Sequence, residues 1–248
     1  MKAKVLSVYD EGALENTPYI GGKGFSVLVE VDGERTLFDT GMRGSYLMHN
    51  LDFLEIKADS IDRVVISHNH RANFGGIWKL LDNRTRPLDL YVNSTFQSFK
   101  KLFGRLQFNE EQASKLNIHV MENDTEFSDH LMAIGPFGDI EEYSLVLSSS
   151  NGPVVITSCY HNGTDCVLSR VREVFGKDPY NLIGGLHIHK ANQRSVDPTA
   201  EIIKSYGSPH MYLNHCAENG ANTYMRVRFN LKGVDDFYVG TSVEYEVR

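Results

Sequence analysis

The sequence is poor in the residues that staple or anchor a chain. Its three cysteines, Cys159, Cys166 and Cys216, are an odd number without zinc-ribbon spacing. That usage fits a reducing cytoplasm; Cys159 and Cys166 are free to pair, but nothing requires it. No apolar run reaches 18 residues. The start, Met1-Lys2-Ala3-Lys4-Val5-Leu6, leads into Tyr9-Asp10-Glu11, so neither a membrane span nor a signal peptide is expected. Basic residues are in deficit. With 25 Lys and Arg against 32 Asp and Glu, the formal charge is −7, which argues against nucleic acid or an anionic membrane as a partner. Repeats, low-complexity tracts and linkers are missing too. What remains is an ordinary globular composition, 41% hydrophobic and 23% charged. A chain of this length buries roughly three quarters of its unfolded surface, so one α/β domain over residues 1–248 needs no staples.

One stretch organises the chain. Val64-Val65-Ile66 is a continuous apolar run of β-formers, which predicts a strand buried on both faces. Just beyond it comes Ser67-His68-Asn69-His70-Arg71-Ala72-Asn73-Phe74-Gly75-Gly76, and then a helical run, Ile77 to Leu81. Side chains two apart in an extended segment point the same way, so the imidazoles of His68 and His70 can converge on one ion. Neutral imidazole suits zinc, and also iron, copper and nickel.

The other elements read in order. Strands are predicted at Lys2 to Tyr9, Phe25 to Val31 and Arg35 to Phe38, the last two joined by an Asp32-Gly33 hairpin. Asp39-Thr40-Gly41 ends the third strand, before a helix at Ser45 to Phe53; alone, Asp39 reads as a turn or cap residue. Leu88 to Val92 is a strand, and Ser94 caps a helix from Thr95 to Leu102. Phe96, Phe99, Leu102 and Phe103 form its core stripe, followed by a segment to Leu116 rich in Gln, Asn and Glu that is able to line or cover the mouth of a site. Ile118 to Met121, Thr125 to Ile134, Tyr143 to Ser149 and Pro153 to Thr157 read as strands. Helix Asp165 to Phe175 follows, then a strand into Gly184-Gly185-Leu186-His187-Ile188-His189, and a helix with Pro198 at its first position. The chain closes with strand His210 to Leu213, helix Gly220 to Phe229, and strands Asp235 to Val239 and Val243 to Val247.

The strand, histidine pair and Gly-Gly resemble the metallo-β-lactamase superfamily of two-metal hydrolases, which carries His-x-His-x-Asp-His at this place. Here Ala72 stands where that pattern has aspartate, and Asn73 where it has the third histidine. The resemblance runs from Asp39 to His215 and implies a four-layer αββα sandwich, its halves meeting at Gly138 to Ser150. It makes Asp39 a site-supporting group, His161 the third ligand of the first metal site, and His215 the last histidine of the second. Cys159-Tyr160-His161-Asn162-Gly163 and Gly184-Gly185-Leu186-His187 resemble a subgroup related to a methanopterin-pathway ribofuranosyl-aminobenzene phosphate synthase.

On that resemblance His68, His70 and His161 hold one ion, zinc or iron. Such a set with an open fourth position can lower the pKa of water to about 7. The second site keeps only His215, because Ala72 has no donor atom and Asn73 only a weak amide oxygen; at most one tightly held ion is expected. Asp39, Asn73, His187 and His215 remain as acid or base groups, with His187 the preferred proton donor. Arg71 holds a phosphate or carboxylate, or is a solvated loop charge. The implied function is a metal-dependent hydrolase or lyase of a small anionic substrate. The alternative is a catalytically inactive relative that binds a ligand or partner. Nucleic-acid processing, known in the superfamily, is disfavoured by the acidic charge.

Overall fold

The computed structural model describes residues 1–96, 107–188, 190, 192–214, 220–230 and 233–248. The strands are β1 (Lys2–Tyr9), β2 (Ser26–Val31), β3 (Glu34–Phe38), β4 (Arg63–Val65), β5 (Leu88–Asn93), β6 (Leu116–Met121) and β7 (Thr125–Ser128). They continue with β8 (Leu131–Phe137), β9 (Glu142–Ser149), β10 (Gly152–Thr157), β11 (Asn181–Gly184), β12 (His210–Leu213), β13 (Val234–Asp236) and β14 (Ser242–Glu246). Described helices are α1 (Gly44–Phe53), α2 (Arg71–Phe74), α3 (Ile77–Asp82), α4 (Glu110–Ser114), α5 (Thr164–Phe175), α6 (Gln193–Ser205) and α7 (Ala221–Arg228).

Two seven-stranded sheets result, ordered β14-β1-β2-β3-β4-β5-β6 and β13-β12-β11-β10-β9-β8-β7. Each is mixed. β3 to β6 run parallel, as do β10 to β13, and the remaining neighbours are antiparallel. Alternation along each strand sorts its apolar residues between two layers. Val27, Val29, Phe38 and Val65 face Leu145, Leu147, Val154, Ile156 and Ile183 between the sheets. Leu28, Leu37, Val64 and Ile66 face outward, against Leu47 and Leu51 of α1 and Ile77 and Leu80 of α3. Val146, Val155 and Leu182 meet Val167, Val171, Val196 and Ala200 of α5 and α6 on the other outer face. The order of layers is therefore helix, sheet, sheet, helix. Strands buried on both faces read as continuous apolar runs, which is how Val64-Val65-Ile66 reads. Among the described residues no helix is long and apolar enough to cross a membrane.

Three sequence expectations are corrected. Thr125 to Ile134 is not one strand: the chain reverses at Asp129-His130 between β7 and β8. The Asp32 carboxylate holds that turn from a distance, accepting from His130 N at 3.1 Å and lying 2.7 Å from His130 Nδ1. Consequently the sheets change over between β6 and β7, not at Gly138 to Ser150, which joins neighbouring strands of one sheet. Pro198 lies inside α6, because Asn192 caps the helix a turn earlier by accepting from Ser195 N. Most of the helix expected at Thr95 to Leu102, with Phe99 and Phe103, lies outside the described residues; Phe96 is buried as expected.

Candidate metal centre

The site lies where parallel strands end, the usual place for a site in a sheet of this kind. Asp39 follows β3, His68 follows β4, His161 follows β10 and His187 follows β11. Asp39, Tyr160 and His187 have φ of 59°, 74° and 51°, left-handed values that cost non-glycine residues strain. Gly75 and Gly76 let the segment after His70 lie against the Asp39 loop. A Cβ at Gly76 would fall 2.2 Å from Thr40 O, and Thr40 N donates to Asn73 O at 2.6 Å.

Three imidazoles meet here. His68 Nε2 is 2.9 Å from His70 Nδ1 and 3.1 Å from His161 Nε2. The three ring centroids lie 4.5 to 4.7 Å apart. His68 is wholly buried, His161 half-buried and His70 exposed. Burial, reinforced by the neighbouring His161, His70 and His187, pushes His68 well below the usual histidine range, so it stays neutral. Ser67 Oγ donates to Asp39 Oδ2 at 2.8 Å and lies 2.9 Å from His68 Nδ1. That chain assigns the proton of His68 to Nδ1 and turns the Nε2 lone pair into the cluster.

Two buried carboxylates flank the rings. Asp39 accepts from Ser67 N, Ser67 Oγ and Ser158 Oγ. Burial lifts its carboxyl to about 7 against the pull of those hydrogen bonds, and Glu142 adds repulsion. Glu142, 1% exposed, accepts from Tyr160 N at 3.2 Å and His161 N at 2.7 Å. Its Oε1 lies 3.9 Å from His68 Nδ1. Nitrogens bound to one tetrahedral zinc stand about 3.3 Å apart, given bonds of about 2.0–2.1 Å. Imidazoles at nearly that spacing, His68 among them held neutral and backed by acidic groups bonded to hydroxyls and backbone N–H, fit a divalent cation in both geometry and charge.

The remaining candidates are placed as follows. Asn73 is buried, its Nδ2 3.1 Å from both ring nitrogens of His68. Ala72 offers only backbone. Arg71 is exposed at the start of α2. The ring of His187 lies 4.2 Å from that of His161, tilted by 55°. His215, His189 and Cys216 lie outside the described residues. Sequence reasoning missed Glu142, Ser67 and Ser158. Glu142 carried no signal, since its partners are backbone groups; the two serines flank the histidine motifs and were legible only by position. It also missed Cys159 as a donor. Cys159 Sγ, a nitrogen of His68 and a nitrogen of His161 lie within 4.8 Å of one another.

Fold and site together define a metallo-β-lactamase-like protein, and a family model described as the metallo-beta-lactamase superfamily matches residues 19–130. That match covers 112 of the 248 residues, and what the whole chain shares with the superfamily is the fold. The chain is similar to the 7,8-dihydropterin-6-methyl-4-(beta-D-ribofuranosyl)-aminobenzene-5'-phosphate synthase of Methanocaldococcus jannaschii, at 21% identity over 86% of this chain and 87% of that protein. A metal-dependent hydrolase of the β-lactamase superfamily superposes with a TM-score of 0.77 at 22% identity, over 97% of this chain and 98% of the other. A diphosphatase of the PhnP family does so with a TM-score of 0.71 at 17% identity, over 99% and 98%. At such identities the solved structures speak for the fold alone.

Proposed function

We propose that this chain is a metal-dependent hydrolase or lyase that acts on a small anionic molecule through one ion, zinc or iron, held by His68, His70 and His161. The observation that carries this reading is the approach of His68 Nε2 to His70 Nδ1 and His161 Nε2, at 2.9 and 3.1 Å. The ion supplies Lewis-acid polarisation and acidifies water. Asp39 is a positioning residue: it reaches His68 through Ser67 and fixes the tautomer. His187, its ring tilted against that of His161, holds or delivers the proton. Exposed Arg71 draws the anion toward His70, the exposed ring of the cluster. Both sheets contribute ligands, so residues 1–248 act as one unit.

Metal analysis of the purified protein tests this. Near one zinc or iron per chain is expected, falling sharply in His161→Ala. A protein that is isolated empty and refuses added zinc overturns it.

A second reading is favoured by Asn73 and Ala72. An amide lies over His68 where the resemblance has a ligand, and position 72 has no donor. The fold then serves ligand or partner binding without turnover. Turnover of a phosphodiester or lactone by the unmodified protein removes that reading.

A further inference from the structure

Cys159 is the residue at the cluster that the imidazole reading leaves without a task. It sits two residues past the end of β10 and two before His161, and its side chain is buried. It is not in a disulfide. Its Sγ falls within 4.8 Å of a ring nitrogen of His68 and one of His161, which lie as close to each other.

We infer that the Cys159 thiolate joins His68 and His161 in holding the ion, which makes the centre a mixed nitrogen–sulfur site; with His70 also bound, water would enter as a fifth ligand. The inference rests on the metal-binding reading above and deepens it. Three imidazoles bring no charge, so a dication among them keeps its full charge beside buried groups. The nearby carboxylates do not cancel that charge by direct bonding: Asp39 oxygens are engaged with Ser67 and Ser158, and Glu142 oxygens with the Tyr160 and His161 N–H groups. A thiolate at bonding distance cancels one unit.

The geometry permits it. Zinc bonds of about 2.0–2.1 Å to nitrogen and 2.3 Å to sulfur set the two donor types about 3.6 Å apart in a tetrahedron. That spacing lies inside the observed 4.8 Å limit. On binding, the S–H bond breaks, its proton passes to solvent and the metal–sulfur bond forms. The consequence is metal choice. A sulfur donor favours zinc and other thiophilic ions and disfavours magnesium, calcium and manganese, which imidazoles alone discriminate less.

Cobalt(II) reads this out without any assay of activity. The full-length chain, stripped by chelator and reloaded, should take up cobalt and show a sulfur-to-cobalt charge-transfer band in the near ultraviolet. The band should persist in Cys166→Ser and Cys216→Ser and vanish in Cys159→Ser, with zinc affinity down about tenfold or more. Cobalt bound with ligand-field bands but no charge-transfer band overturns the inference and leaves the histidine site standing. So does a band that survives Cys159→Ser and vanishes in Cys216→Ser. No cobalt uptake at all overturns the metal reading itself. Should Cys159→Ser fail to fold, the unaltered protein answers by alkylation mapped with mass spectrometry. Zinc should slow modification of Cys159 at least tenfold; equal rates with and without zinc overturn the inference.

Discussion

Glu142 Oε2 accepts the backbone N–H of His161 at 2.7 Å, across 19 positions of the chain. The bond fixes the peptide that carries the imidazole, and the other oxygen holds the peptide of Tyr160, whose φ is 74°. Replacing Glu142 by alanine leaves the buried Tyr160 N–H and the partly buried His161 N–H without this acceptor. Glu142→Ala should lose about 3 kcal/mol in urea unfolding and about 10–100-fold in zinc affinity. Glu142→Gln, which keeps an acceptor oxygen, should recover much of the stability. An alanine variant as stable as the parent would show that the carboxylate holds nothing.

Asp39 makes a pH prediction of definite sign. Its folded carboxyl titrates at about 7, above the usual 3.8. The folded state therefore binds the proton more tightly than the unfolded chain. The stabilisation is complete below about pH 4 and is lost as pH rises through about 7. His68, held neutral by burial, acts oppositely at low pH, so the comparison must be with a variant. In chelator-treated protein, the parent should lose roughly 4 kcal/mol relative to Asp39→Asn between pH 4 and 8. Parallel stability profiles for the two proteins would refute it.

Gly184 ends β11 with φ of 117°, and a Cβ there would fall 1.7 Å from Thr157 O on β10. The strands at this point carry Cys159 and His187 just beyond their ends. Gly184→Ala should cost about 3 kcal/mol or more and loosen the His161–His187 pair. Thermal melting and the histidine NMR resonances check both effects; an unshifted melting temperature contradicts the steric argument.

The missing pair at 72 and 73 can be restored. Ala72→Asp with Asn73→His should raise bound zinc from one toward two per chain, measured by atomic absorption. Unchanged stoichiometry would mean that the rest of the second site has also been lost.

Much of the fold was legible because each core strand carries its own evidence. Val64-Val65-Ile66 is apolar on both faces because both faces are covered, and Asp32-Gly33, with φ of 56° and 81°, forms the hairpin its residues favour. Pairing was not legible. The turn at Asp129-His130 has no glycine or proline; it is stabilised by Asp32, far away in sequence, so β7 and β8 merged into one expected strand. His68, His70 and His161 were legible through short local motifs. Glu142 was not, because its contribution lies in accepting from two peptide groups that no sequence pattern marks.

The pairing of β1 with β14, Lys2 opposite Glu246 through Leu6 opposite Ser242, sets an order of assembly. Of the described strands, β1 leaves the ribosome before the others and has one of its two sheet neighbours supplied by β14, which leaves after them. Until that late segment arrives, an edge bearing Val5 and Leu6 stands open to any other extended chain. Growing chains of this protein should therefore depend on holding chaperones, and loss of the final strand should produce aggregation rather than a smaller folded protein.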